Sequence, residues 1–494
     1  MRKVLALERN LVRVLVTIRL AMNQTAPINR LPPEILTRAL EFREDDKVLI
    51  SSTHVCQRWR SALSSSPSLW TQVMFRDSHR ADQVLAYLMR SKALPIDVSF
   101  NPIRVSFETW KFDPEDLFTS HVPWVDRMKY LDIRGDEEHI EAVVRRLCLP
   151  APLLQRLKIN GIPNRSLLGR TLGAVRFPHN FLGGQAPSLR NLSLDSISPT
   201  PITKFPLSNL TSFTWIDKDS RATVKDLMTL LTSAPLIEVM NVHLKVQSVS
   251  TTERATTVTL NKLRELTWSN SGGTFSLTSC LIAPQLHWLS LRVVPPYDSP
   301  HNDLASILPS HAGHFPLLCE PTGMRYTTRR GTRLCLFTSA TGYVRITVVP
   351  ANYSIGVSFA WLSRNTPISF RWTKQLVMEV DYPPLGEIPI EQFESLESLE
   401  LVDCADIYSS LMLPHRHTLS DALVVPFPTL LELQTTSNMR LPLDELAEIL
   451  RERKKAGHGV EIVRIRGVCA ESREELIGKM REFAGELVLE LVHT

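Results

Sequence analysis

Apolar residues follow two different periods along the chain. Between residues 28 and 74, in "INRLPPEILTRALEFREDDKVLISSTHVCQRWRSALSSSPSLW", they recur at helical spacing. Ile35, Leu36, Ala39 and Leu40 form one stripe. Pro32 and Pro33 stand where a helix starts without losing a needed N–H, and Glu34 complements the dipole of the first turn. A helix is therefore predicted from about Pro33 to Phe42. Asp45 or Asp46 caps a second short helix carrying Val48, Leu49 and Ile50, with "SST" at 51–53 as its break. Val55, Cys56, Trp59 and Leu63 are expected on one face of a third helix, stopped by "SSSPS" before Leu69 and Trp70.

Downstream, the period changes to a recurring L-x-x-L-x-L, often introduced by Ala-Pro. It appears in "APLLQRLKI" (151–159), "APSLRNLSL" (186–194), "LNKLRELTW" (260–268), "APQLHWLSL" (283–291) and "FESLESLEL" (393–401). The first apolar positions Leu154, Leu189, Leu210, Ile237, Leu263 and Leu286 are 35, 21, 27, 26 and 23 residues apart. Most of these steps fall in the range of about 20–29 residues of leucine-rich repeats, in which each short strand is completed by its neighbours. Helical patterns precede several strands: Ile140, Val143, Val144 and Leu147; Val224, Leu227, Leu230 and Leu231; Leu443, Leu446, Ile449 and Leu450, with Gly457 as a stop. Ser472 and Glu475 read as a capping box for a last helix. Residues 292–392 break the repeat with an inserted loop and alternating strands in "GYVRITVV", "SIGVSFAW" and "QLVMEV". The resulting fold class is α+β: a small all-α module of three short helices, then an irregular α/β solenoid resembling leucine-rich repeats.

Composition narrows the function classes. The 494 residues are 43% hydrophobic and 22% charged, which is globular. A formal net charge of +5 leaves no strong basic footprint, so nucleic acid is not an expected partner. Seven scattered cysteines without a C-x-x-C indicate neither a disulfide framework nor a zinc module, and fit the reducing cytoplasm and/or nucleus. The basic amphipathic stretch at residues 1–27 is interrupted by Arg9, Arg13 and Arg19 before it reaches the length of a membrane span. It is expected to be an extra helix packed on the fold, or a frayed leader; no membrane partner is expected.

Candidate chemistry is sparse. G-x-S-x-G, P-loop, H-E-x-x-H and dinucleotide-binding signatures are absent, so no catalytic residue or cofactor is predicted. His54 and Cys56 at i and i+2 of a helix would point about 200° apart, which makes Cys56 a packing residue rather than a nucleophile. His301, His311, His314 and Cys319, or His415 and His417, match no zinc spacing, and no metal is expected. Arg325, Arg329, Arg330 and Arg333 in "MRYTTRRGTR" read as a solvated loop, although arginine forks could also take an acidic peptide. Trp215 and Trp268 hold the last apolar position of their repeats and belong in the core. Trp288 holds a variable position and is the better surface candidate.

L-P-x-E-I-L, V-C-x-x-W-R and P-S-L-W, in this order across residues 28–74, resemble the F-box. Followed by loose repeats over residues 75–494, the layout resembles the large F-box families of mushroom-forming fungi. The resemblance implies binding of the Skp-type adaptor of Skp–cullin–F-box ubiquitin ligases through Leu31, Pro32, Ile35, Leu36, Val48, Leu49, Val55, Cys56 and Trp59. It further implies a non-catalytic receptor whose repeats hold a target protein near the ligase, or alternatively an interaction scaffold outside any ligase. Arg43, where the family usually has an apolar residue, and the acidic "REDD" depart from the pattern and imply weaker adaptor affinity.

Overall fold

The computed structural model describes residues 2–42, 46–75, 81–101, 124–162, 178, 180–197, 207–217, 224–244, 257–271, 277–294, 314–318, 320–329, 332–340, 342–348, 370–380, 392–402, 412, 415–416, 423–436, 443–468 and 473–491. The chain is α+β, with helices concentrated at the N-terminal end and strands through most of the rest. It divides into two compact units, Met1–Asn191 with Lys204–Pro206, and Leu192–Thr203 with Leu207–Thr494.

The first unit opens with α1 (Arg2–Thr25), whose apolar residues Val4, Leu7, Leu11, Val14, Ile18 and Met22 are exposed rather than packed on neighbouring helices. Among the described residues no helix is long and apolar enough to cross a membrane. A 3-10 turn, Pro27–Arg30, leads into α2 (Pro33–Glu41), α3 (Asp46–Thr53) and α4 (Gln57–Ser64). Two boundaries differ from the sequence reading. "SST" does not break the second helix, because the Ser51 and Thr53 hydroxyls donate back to the carbonyls of Val48 and Ile50 at 3.0 and 2.6 Å, so both hydroxyls are satisfied inside the helix. The third helix starts only at Gln57: Cys56 is its N-cap with extended backbone, and Val55 lies in the turn before it.

Trp70 ties this three-helix module to the next helix of the chain. Its indole N–H donates to the Leu63 carbonyl at 2.8 Å, its ring meets Tyr87 edge-on at 4.9 Å, and the Arg90 guanidinium lies 4.3 Å above it. Tyr87 and Arg90 belong to α5 (Ala81–Arg90), which packs on β1 (Gln72–Phe75). Strands β1, β2 (Ile96–Phe100), β3 (Met128–Gly135) and β4 (Arg156–Gly161) pair side by side, all parallel. α6 (Glu137–Arg146) covers β3 and β4; it starts because the Asp136 carboxylate accepts the His139 N–H at 3.0 Å and carries Glu137 and Glu138 in its first turn, Arg145 and Arg146 in its last.

The second unit contains β5 (Asn191–Asp195), β6 (Ser212–Asp217), α7 (Val224–Ser233), β7 (Val239–Leu244), β8 (Val258–Thr259), β9 (Glu265–Ser271), β10 (Leu281–Ile282) and β11 (Trp288–Val294). Next come β12 (Pro321–Arg329), β13 (Thr332–Ser339), β14 (Gly342–Val348), β15 (Gln375–Val380), β16 (Ser398–Val402), β17 (His415–Arg416), β18 (Leu423–Val424) and β19 (Glu432–Thr436). It closes with α8 (Leu443–Lys455), β20 (Ile462–Val468), α9 (Arg473–Met480) and β21 (Glu486–Leu491). Its mixed sheet runs β6, β7, β9, β11, then β14, β13, β12, then β15, β16, β19, β20, β21, with every pairing parallel except the two that β13 makes.

The leucine pattern has a local cause that recurs in both units. A tight turn places the first apolar side chain inward, through Leu154 N–H to Ala151 O, Leu210 to Leu207, Leu263 to Leu260, Leu286 to Ala283 and Leu430 to Phe427. The strand after each turn alternates inward and outward, so Leu157 and Ile159, or Leu399 and Leu401, join the core. The helical patterns at 140–147, 224–231 and 443–450 are all helices, and α8 ends at a Gly457 of φ +84, a left-handed conformation suited to glycine. Arg453 of α8 is fully buried: its guanidinium donates to Phe427 O at 2.8 Å and to Pro426 O, and burial lowers its pKa to about 10.

The largest departure lies in "MRYTTRRGTR". Instead of a solvated loop it forms a hairpin, β12 against β13, and Arg325 pairs with Glu379 of β15 at 3.3 Å. Alternating apolar residues such as Met324, Tyr326, Cys335 and Phe337 are buried, which is what turns a basic segment into sheet. Arg330, "SIGVSFAW" at 354–361, and Ser472 of the expected capping box lie outside the described residues.

Candidate functional site

Helices α2 and α3 both pack on α4, and Leu36, Leu49 and Leu63, one from each helix, are buried. These three small helices consume only part of their apolar surface in doing so. Leu31 remains 39% exposed, Ile35 49%, Val48 45% and Val55 56%. Phe42, just past the end of α2, is more exposed still. Such a concentration of bare large apolar side chains is costly in water unless another surface covers it.

Of the nine residues singled out in the sequence, Leu31, Pro32, Ile35, Val48 and Val55 are exposed, while Leu36 and Leu49 point into the module. Cys56 and Trp59 are half-buried. The Trp59 indole N–H donates to the Asn29 side-chain oxygen at 2.6 Å, and the Asn29 amide donates to the Asn23 carbonyl at 2.6 Å. Arg58 donates to the Leu31 carbonyl at 2.6 Å, so α4 is bolted to the segment that presents Leu31. A cavity of about 380 Å³ lies beside these bonds, lined by Asn23, Gln24, Asn29, Cys56, Gln57, Arg58 and Ser61. Asn29 is the organising residue that helical periodicity does not reveal. Its only signal is a polar residue between Ile28 and Leu31, in a turn opened by Pro27.

His54 is exposed in the turn after α3 while Cys56 caps α4, so the two do not share a helix at all. Among the described residues no group of three or more His, Cys, Asp or Glu is placed to hold a metal ion. His301, His311, Cys319 and His417 lie outside them.

The amino-acid pattern, the three packed helices and the bare apolar side chains all fall in one segment, and residues 28–76 match the F-box-like family model. The chain carries an F-box-like domain. Such a domain points to involvement, as an adaptor-binding subunit, in ubiquitin ligases of the Skp–cullin–F-box type. Comparison of the whole chain with curated proteins finds no match.

Beyond the F-box-like domain, the second unit has an outward strand face of different character. Trp215 and Trp268 are fully buried and Trp288 is 40% exposed, as their motif positions predict. Trp288 stacks on Tyr343 of the adjoining strand, ring centroids 4.6 Å apart and 19° from parallel. On the same face Arg292 and Arg345 are exposed, and half-buried His243 is held below its ordinary pKa by burial and then by the charge of Arg292.

Proposed function

We propose that this chain is a substrate-recognition subunit of a Skp–cullin–F-box type ubiquitin ligase, whose F-box-like domain docks on the Skp-type adaptor. The observation that carries this reading is the exposure of Leu31, Ile35, Val48 and Val55 inside the segment that matches the F-box-like family. Burying such side chains against a partner contributes roughly 25 cal/mol per Å² of apolar area, which makes a few of them sufficient anchors. Pro32 and the outer edge of Trp59 complete the surface, while Leu36, Leu49 and Cys56 hold its shape.

In the same reading the chain supplies no chemistry of its own. The strand-and-turn units of both compact units are leucine-rich-repeat-like, and their outward faces hold a target protein near the ligase. Proximity and orientation of a target lysine then raise the rate of ubiquitin transfer.

Affinity purification of tagged full-length protein tests the proposal. Wild type retains the adaptor; Ile35→Asp combined with Val55→Asp loses it while the melting temperature stays unchanged. Adaptor retention by the double variant, or none by wild type, ends this reading. Adaptor binding without cullin-dependent turnover of any bound protein selects a scaffold outside the ligase instead.

A further inference from the structure

We propose that the outward face of β11 and β14 is a docking surface for an acidic, extended segment of another protein. Trp288 and Tyr343 stack on an aromatic or proline side chain of that segment, and Arg292 and Arg345 take its carboxylates. The inference goes beyond the adaptor-binding reading and stands without it, because the surface lies in the second unit.

Parallel register sets the geometry. Trp288 is opposite Tyr343, Ser290 opposite Arg345, and Arg292 opposite Thr347. Arg292 and Arg345 are therefore diagonal neighbours on one face, with Cβ atoms roughly 7–8 Å apart, close enough for both guanidinium forks to meet one acidic group. Two other strand arginines of this unit are paired with carboxylates: Arg325 holds Glu379 at 3.3 Å and Arg464 holds Glu432 at 2.5 Å. Arg292 and Arg345 have no ion pair among the described residues, and both are exposed. Two uncompensated like charges side by side repel, and a bound carboxylate relieves that repulsion.

The aromatic pair is equally specific to this place. A Cβ on Gly342 would lie 2.0 Å from the His287 carbonyl oxygen, which accepts the Tyr343 N–H at 2.8 Å. Glycine at 342 thus permits the close approach that seats Tyr343 against Trp288. On the other side of Trp288 stands Glu265, opposite it in the register of β9. That carboxylate repels acids from the aromatic end and orients the ligand, with its acidic residues at the arginine end, two positions past Tyr343 at Arg345 and four past Trp288 at Arg292, about 7–13 Å from the rings. Glu265 and the chain's small net charge of +5 favour an acidic peptide over a nucleic-acid strand.

The probe is a fluorescein-labelled decapeptide with one tyrosine two residues before a run of three aspartates, titrated into full-length protein without adaptor and read by anisotropy. Saturable binding is expected, weakening as NaCl rises from about 50 to 300 mM. Arg292→Glu with Arg345→Glu should lower affinity about tenfold or more, and Trp288→Ala several-fold. Arg292→Lys with Arg345→Lys should keep part of it, and Arg38→Glu on the exposed face of α2 should leave it intact. Each variant is first matched to wild type by its melting curve. Absence of saturable binding, unchanged affinity in the charge-reversed protein, an equal loss in Arg38→Glu, or displacement by a thymidine oligonucleotide at lower concentration than by unlabelled peptide would overturn the proposal. Adaptor pull-down is unaffected by any of these outcomes, so the two readings fail separately.

Discussion

The F-box-like helices and the strands of the second unit treat apolar side chains in opposite ways. Over residues 31–55 the helical segment leaves Leu31, Ile35, Phe42, Val48 and Val55 exposed. The strands instead alternate, so that Phe213 and Trp215, or Leu433, Val463 and Ile465, are sealed inside while polar residues face out. The difference arises from size and geometry. Three helices of eight or nine residues enclose only a sliver of core, whereas each strand is flanked by others that share its inward row. Bare apolar surface in the first case is available for a partner; the second has spent its apolar surface on itself and presents rings and charges at its outer face.

The largest effect should come from opening the sealed side. Trp215 is fully buried and its indole N–H donates to the Ile197 carbonyl at 3.0 Å. Trp215→Ala should destabilise the second unit by about 3–5 kcal/mol, measured by urea denaturation followed by circular dichroism. Next in size is Asn29, buried where it joins α1 to α4. Asn29→Ala removes the acceptor of the Trp59 indole and the donor to Asn23, and should cost the F-box-like domain about 1–3 kcal/mol, visible as faster amide exchange in α4 than in α5. Ile35→Asp should change stability by no more than about 0.5 kcal/mol in the free chain, since the residue is already half in water, while weakening adaptor retention; an equal loss of both would mean that Ile35 belongs to the core. Smallest of all should be Lys374→Ala, which breaks an exposed pair with Glu397 at 2.8 Å and should lower the unfolding free energy measured in urea by less than about 1 kcal/mol.

Much of this organisation is legible along the chain. The proline-led start of α2, the stripe it carries and the module's closing tryptophan come from helical spacing and capping rules, as do α6, α7 and α8. Less legible are exact helix edges, because hydroxyls such as those of Ser51 and Thr53 can bond within a helix as readily as outside it. Periodicity also leaves open which apolar residues of a small helix face inward: Leu36 is buried and its neighbour Ile35 is not, a choice made by the packing of α2 on α4.

Local sequence accounts for the periods of the two regions, the F-box-like pattern, and the inward place of Trp215 and Trp268. Each depends on residues within a few positions of one another, where backbone geometry alone sets direction. Tertiary folding is what pairs β11 with β14 rather than with β12, the next strand along the chain. That choice carries Tyr343 and Arg345 across the whole β12–β13 hairpin to lie beside Trp288 and Arg292. Strand pairing is set by which edges meet once the chain has folded, and no local spacing encodes it.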